Sequence, residues 1–202
     1  MKGRTLALII IYTVAATLFA SPMTAQAAVL TFDATLSGAL EVPPTSGTGF
    51  ATVSIDTVLH TLTVDVSFSG LTSGTTASHI HCCVSSEVVN SGVATTVPTF
   101  GGFPLGVTSG TYHNVLDMTS SSSYNPAFIT GSGGTVASAE AALFAGIIAG
   151  DAYLHIHTTS SEIRGLLAPV PLPATLPLFA TGLAGLGLFG WRRKKKVAVL
   201  SA

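Results

Sequence analysis

Apolar and polar residues alternate along much of the chain between residues 29 and 168. Successive side chains of an extended strand point to opposite faces, so this alternation predicts strands with one buried face. It is clearest at 29–38, 50–56 and 60–70, where Leu, Val, Ile, Ala or Phe alternates with Thr, Ser or Asp. The link between the last two segments, residues 56–60, is short enough for a hairpin.

Further strands are predicted at 77–83, 111–118, 152–158 and 162–168. One helix is predicted between Thr135, a typical N-cap residue, and Gly150, a typical end signal. Residues 84–110 are rich in Gly, Pro and Thr and are predicted to form a long loop; such loops tend to be functional or mobile. Residues 121–134 are predicted to be irregular. Six to eight short strands with one short helix indicate a mainly β fold, an antiparallel β-sandwich or Greek-key barrel.

The N-terminus has the layout of a secretory signal peptide. Lys2 and Arg4 precede a long apolar run, and small residues at Ala25 and Ala27 fit a cleavage site before Ala28. An uncleaved membrane anchor is the alternative, but the run is shorter than the roughly 20 residues a spanning helix prefers. We therefore assign residues 1–27 to a signal peptide.

The C-terminus has an apolar stretch from about 172 to 191, followed by the basic residues 192–196. Its length suits a transmembrane helix. The cations beyond it would remain cytoplasmic, and Trp191 would lie at the membrane interface. The basic N-terminus predicts the same orientation, so the segment between the hydrophobic ends lies outside the cytosol.

This tail resembles the PEP-CTERM sorting signal of Gram-negative bacteria, which combines a short Pro-containing motif, a Gly- and Leu-rich helix and a terminal Arg cluster. The motif residues are Val170, Pro171, Leu172 and Pro173, and the cluster includes Arg192 and Arg193. Leu172 stands where the family usually has Glu. The resemblance, over 169–196, implies an exosortase-type sorting protease as partner and delivery to the cell envelope or extracellular matrix. A simple C-terminal anchor predicts the same compartment.

The body of the chain, 28–168, is acidic. Of eight Lys and Arg residues only Arg164 lies within it, whereas all nine Asp and Glu residues do, giving a formal charge of −8 with neutral histidines. A negative surface repels phosphate backbones, which argues against a nucleic acid partner. Cations or basic proteins are better candidates. The segment is of ordinary size for one domain.

Four of the six histidines occur in two His-Ile-His triplets, His79 with His81 and His155 with His157. Within each strand the two imidazoles share a face. If the strands are adjacent, four rings form one patch suited to Zn²⁺ or Cu²⁺, with Asp151 or Glu162 orienting a ring. Alternatively these faces contact water, or the rings make buried hydrogen bonds beneath the long loop. His60 and His113 are predicted to lie on the surface.

Cys82 and Cys83 are the only cysteines and they are adjacent. They cannot join distant strands, which leaves a vicinal disulfide, an intermolecular link or soft metal ligands beside His81. We favour the vicinal disulfide. Glu162 and Arg164 lie two apart in a strand and hence on one face, which predicts a structural ion pair; the alternative is a ligand contact through Arg164.

The ordered motifs at 77–81, 153–158 and 161–165 resemble the CHRD domain, first named from chordin. The family shows Ala-x-His-Ile-His, then Tyr-x-Asn-Ile-His-Thr and Gly-Glu-Ile-Arg-Gly; here His155 replaces Asn and Ser161 replaces Gly. The resemblance spans nearly all of 28–168 and implies an immunoglobulin-like β-barrel that serves as a secreted module. It implies no known reaction.

These observations predict an exported envelope or matrix protein with a binding or structural module and no catalytic activity, held in the membrane by its C-terminal helix before processing. A matrix or protein partner is expected. The alternative is a copper- or zinc-binding domain with superoxide-dismutase-like chemistry. The His-x-His strand is similar to that of copper/zinc superoxide dismutase, but the remaining ligand pattern and disulfide of that enzyme are not evident.

Overall fold

The computed structural model describes residues 29–39, 41, 44–83, 90–160 and 162–171. The predicted signal peptide and the predicted C-terminal transmembrane helix and basic tail lie outside these residues. Within the described part of the chain, no helix is both long enough and apolar enough to cross a bilayer.

Eight antiparallel strands form one curled sheet, which confirms the predicted mainly β class. Seven strands run in the order β4-β6-β7-β1-β2-β3-β5, and β8 pairs with β1 beside β7. The strands are β1 Leu30–Ser37, β2 Thr48–Asp56, β3 Thr61–Ser69, β4 Thr75–Cys82, β5 Gly110–Asp117, β6 Ala152–Thr158, β7 Ile163–Leu166 and β8 Ala168–Pro169.

The alternating pattern sets the register of the central strands. Phe32 of β1 lies opposite Val53 of β2, which in turn lies opposite Val64 of β3. All three side chains are buried, and the polar residues between them point outward. A shift of one residue would expose this whole set, so burial fixes the pairing. The predicted hairpin between β2 and β3 is confirmed.

The predicted helix is confirmed as α2, Val136–Ala149. The Thr135 hydroxyl accepts from the Ser138 N–H at its start, and Gly150 adopts φ 78° at its end. A second short helix, α1 Pro126–Gly131, lies in the segment predicted to be irregular. Asn125 caps it and Pro126 provides its first turn, a start signal that the Ser- and Gly-rich surroundings obscured.

Residues 90–109, here called the edge loop, run along the outer edge of β4. Backbone hydrogen bonds join Cys82 N to Gly92 O (3.1 Å), Ala94 N to Ile80 O (3.0 Å) and Gly106 N to Thr75 O (2.8 Å). The predicted long loop therefore satisfies the exposed backbone groups of an edge strand, and it covers the face that carries His79 and His81.

Candidate metal centre

The two His-Ile-His triplets lie on adjacent strands. β4 and β6 pair directly, with His79 opposite His155 and His81 opposite Tyr153. Because side chains alternate, all four imidazoles point to the same side of this strand pair, and Ile80 points into the core. The prediction depended on this adjacency.

The four rings form one cluster. The centroids of His155 and His157 are 3.9 Å apart, and the centroid of His81 lies 5.4 Å from that of His155 and 5.6 Å from that of His157. His79 completes the group, with 5.3 Å between its centroid and that of His157. Two groups of three potential metal ligands converge here: His79 with His81 and His157, and His155 with His157 and Glu162. Among the described residues, no other group of three or more His, Cys, Asp or Glu side chains comes as close together.

The cluster is largely buried rather than exposed to solvent. His79, His81 and His155 are 5%, 7% and 4% exposed, and His157 is partly exposed. The edge loop covers the rings and accepts hydrogen bonds from them: His79 Nε2 donates to Pro98 O at 2.6 Å, and His81 Nδ1 donates to Ser91 O at 2.8 Å. The interpretation of the histidine face as solvent-facing is therefore wrong for three of the four rings.

These contacts determine which ring nitrogens carry lone pairs. A carbonyl oxygen only accepts, so the bonded nitrogens of His79 and His81 are protonated and, in a neutral ring, the other nitrogen is not. His157 Nδ1 likewise donates to Glu162 Oε1 at 3.0 Å. The remaining nitrogens are His79 Nδ1, which is buried without a hydrogen-bond partner, and the Nε2 atoms of His81 and His157, which lie within hydrogen-bond distance of each other at 3.4 Å.

Burial favours the neutral form of the three buried rings, and this is the form that binds metals. Desolvation lowers the pKa of His79, lowers that of His81 to about 4 and lowers that of His155 to about 2. The neighbouring rings and Arg164 add a smaller effect of the same sign at His155. An uncharged imidazole leaves one nitrogen free to bind a cation without first losing a proton.

A buried ion pair flanks the cluster, but its carboxylate is not the predicted one. Arg164 Nε lies 2.9 Å from Glu41 Oε1, and Arg164 NH1 donates to Asn90 Oδ1 at 2.7 Å. The predicted pair of Glu162 with Arg164 is not among the ion pairs of the described residues. Burial raises the pKa of Glu41, and Arg164 opposes that shift.

Sequence reasoning missed Glu41 because it lies in a proline-rich loop far from the motifs. The pairing of Ser37, at the end of β1, with Arg164 of β7 brings this loop next to the guanidinium. The sequence offered one weak signal for this contact. Glu41 is an acid shortly after a predicted strand, and Arg164 is the only cation between the two basic ends.

Glu162 contacts the histidines instead. Its Oε1 accepts from His157 Nδ1, and its Oε2 lies 3.3 Å from His155 Nε2. Of the two acids predicted to orient a ring, Glu162 is therefore the one in place. Asp151 follows α2, where its N–H donates to Gly146 O at 2.8 Å.

Cys82 and Cys83 are joined by a disulfide. Cys82 is on the Ile80 face of β4, and both sulfurs pack against α2 at Gly146, where an added Cβ would overlap them. The sulfurs therefore lie on the side of β4 opposite the imidazoles. The alternative that they are ligands beside His81 does not fit this arrangement.

The other two histidines lie at the surface, as predicted. The side chains of His60 and His113 are 49% and 65% exposed. Each contacts a carboxylate, Glu140 at 2.7 Å and Asp65 at 2.6 Å respectively. Neither belongs to the cluster, so both serve as reference sites for experiments.

The sorting motif begins where the described chain ends. Val170 and Pro171 are described and exposed, while Leu172, Pro173, Arg192 and Arg193 lie outside the described residues. Val170 N donates to Thr31 O at 2.9 Å, so the first motif residue is still attached to β1.

Two known families match the chain. The CHRD domain matches residues 32–167, and the PEP-CTERM protein-sorting motif matches residues 169–194. No curated protein matches the chain, and no solved structure does. The sorting motif implies an exported, extracellular protein that an exosortase processes. With two thirds of its length matched, the chain belongs to the CHRD domain family.

Proposed function

We propose that this protein is a non-catalytic component of the cell envelope or extracellular matrix whose CHRD domain binds one transition-metal ion. The ligands are His79 Nδ1, His81 Nε2 and His157 Nε2. The observation that carries the proposal is the 3.4 Å separation of the last two nitrogens. In neutral rings whose Nδ1 atoms donate, both Nε2 atoms carry lone pairs. Two facing lone pairs repel each other, and a cation between them removes the repulsion.

The dimensions suit zinc or copper. Zn²⁺ binds imidazole nitrogen at about 2.0–2.1 Å, so two ligands at a tetrahedral angle lie about 3.4 Å apart. Copper(II) also favours nitrogen-rich sites. Three histidines leave a further position for water or another ligand.

The second nitrogen of each proposed ligand is already fixed. Pro98 O, Ser91 O and Glu162 hold His79, His81 and His157 respectively. Such partners fix the tautomer and the orientation of a metal-binding imidazole. His155 belongs to the same cluster, but its Nε2 lies 3.3 Å from both Glu41 and Glu162, so we assign it a supporting role.

We assign no catalytic step to the domain. The polar groups beside the rings, Glu41, Glu162 and Arg164, contact one another or the histidines. The alternative of dismutase-like chemistry makes a separate prediction: copper-loaded protein would consume superoxide faster than the same amount of the His79→Ala variant. Equal rates would contradict that alternative.

Retention of metal tests the binding proposal. Full-length chain purified in detergent is incubated with Zn²⁺ or Cu²⁺, dialysed against buffer and analysed for metal per chain. We expect one equivalent in the parent protein, and loss of it in His79→Ala and His81→Ala, with His113→Ala as the matched surface control. Absence of a stoichiometric metal in the parent, or equal retention by all variants, would contradict the proposal.

The sorting signal supports action at the cell envelope or in the matrix. We propose that the predicted C-terminal helix holds the chain in the membrane during transit. An acidic domain at the cell surface would meet cations or basic matrix proteins as partners. Fractionating cells that produce the chain with and without residues 170–202 tests this route. We expect matrix or envelope location only when the segment is present, and the same location for both would contradict it.

A further inference from the structure

The sorting motif is not separated from the folded domain by a linker. The motif match starts at residue 169, and residue 169 is the second residue of β8. Pro169 pairs with Phe32 of β1, and the N–H of Val170 donates to Thr31 O at 2.9 Å. The start of the matched sorting motif is therefore attached to the sheet.

We propose that the processing protease meets the domain at the corner where β8 leaves β1, and that β8 must detach from β1 before the chain is processed. A backbone N–H that donates to Thr31 O is not available to another acceptor. A protease that takes this segment as an extended strand therefore competes with β1 for the same backbone groups.

The corner is suited to local opening. Ala168 and Pro169 are both exposed, and β8 is only two residues long. Pro169 has no N–H to contribute to the ladder. Detachment of β8 leaves β1 paired with β2 along its full length and with β7 at Ser37, so the sheet and the histidine cluster remain intact. Short terminal strands of this kind open at low free-energy cost.

The same corner exposes apolar side chains beside the start of the domain. Val29 is 51% exposed and Val170 is 39% exposed. They lie at the ends of neighbouring strands, since Val170 bonds to Thr31, two residues from Val29. Exposed apolar side chains next to the start of the sorting motif fit contact with the membrane-embedded protease.

A spacer variant tests the proposal in cells that contain the sorting protease. A flexible insert of about eight Gly and Ser residues between Pro169 and Val170 leaves β8 in place and frees the motif. Pulse–chase labelling measures the rate of processing of the full chain, and mass spectrometry identifies the product. We expect the rate to rise severalfold. The same insert between Val58 and Leu59, in the exposed β2–β3 turn, is the control and should leave the rate unchanged.

A cross-strand lock gives the opposite result. Asp33 and Ala168 are direct partners, so Asp33→Cys with Ala168→Cys can form a disulfide that holds β8 on β1. We expect the disulfide to slow processing severalfold and a reductant to restore the parent rate. In the control, Asp33→Ser with Ala168→Ser, the same reductant should leave the rate of processing unchanged. Circular dichroism verifies that both variants fold. A spacer without effect, or a locked β8 that is processed at the parent rate, would overturn the proposal.

Discussion

The Nε2 atoms of His81 and His157 face each other across β4 and β6 at 3.4 Å, within hydrogen-bond distance. Their Nδ1 atoms donate to Ser91 O and to Glu162. If both rings are neutral with Nδ1 protonated, the two Nε2 lone pairs face each other and repel. A bound cation converts this contact into a stabilising one, so metal binding should raise the stability of the folded domain.

That coupling predicts a graded response to substitutions around the ligands. Glu162→Gln weakens the hydrogen bond that orients His157, so we expect zinc affinity to fall by about 10–100-fold without loss of the site. Competition with a chromophoric chelator measures the affinity. Glu140→Gln, which alters the carboxylate contact of His60 outside the cluster, is the matched control. An unchanged affinity in Glu162→Gln would show that His157 is not a ligand oriented by this carboxylate.

Acidification should destabilise the metal-free protein. The pKa of His81 falls from the ordinary value to about 4 on folding, mainly because burial disfavours the charged ring, with smaller unfavourable contributions from the neighbouring rings and Arg164. The unfolded chain therefore binds a proton first as the pH drops below about 6.5, and the free energy of unfolding falls between about pH 6.5 and pH 4. Each unit of pKa difference corresponds to about 1.4 kcal/mol.

Urea unfolding in the presence of a chelator at pH 7.5 and pH 5 measures this effect. His81→Gln removes the titrating ring and should flatten the dependence, although His155 contributes in the same direction because its pKa also falls. A free energy of unfolding that stays constant or rises on acidification would contradict the buried, neutral state of these rings.

Arg164 should matter for stability far more than a surface charge. Arg164→Met leaves Glu41 as a buried carboxylate without its guanidinium, and loss of one partner of such a pair costs about 3–5 kcal/mol. Asp65→Asn, at the exposed contact with His113, should change stability by at most about 1 kcal/mol. Chemical denaturation measures both.

A double substitution separates the ion pair from simple packing. Glu41→Met added to Arg164→Met removes the orphaned charge, so we expect the double variant to be more stable than Arg164→Met alone. If the two losses add in full, the pair is not energetically coupled and the account of Arg164 is wrong.

Gly146 should tolerate no side chain while the disulfide is present. A Cβ at this position of α2 would overlap the sulfurs of Cys82 and Cys83, so Gly146→Ala should cost about 1–3 kcal/mol through overpacking. Replacing both cysteines by Ala should recover most of that loss in thermal unfolding. Gly131→Ala, where an added Cβ meets no atom within 4 Å, is the control. Equal effects at the two glycines would contradict the packing.

The sequence carried most of the fold because the alternation is local. Polar neighbours on both sides predict the buried face at Phe32, Val53 and Val64. The ends of α2 are marked by Thr135 and Gly150. The short helix α1 was missed since its start signal, Asn125 followed by Pro126, lies among turn-forming residues.

The site was only half visible in the sequence. The two His-Ile-His triplets show that the rings share a face within each strand, but not that β4 and β6 are neighbours. Glu41 and Ser91 belong to loops whose positions depend on long-range pairing. The spacing of Glu162 and Arg164 placed them on one strand face correctly, yet the contacts of each were decided by the loops packed against it.

X-ray absorption spectroscopy of the zinc-loaded full-length chain tests the central claim most directly. The account predicts one zinc per chain with three imidazole nitrogens at about 2.0–2.1 Å, and one nitrogen fewer in the His157→Ala variant. A first coordination shell of oxygen atoms alone, or a spectrum that His157→Ala leaves unchanged, would contradict it.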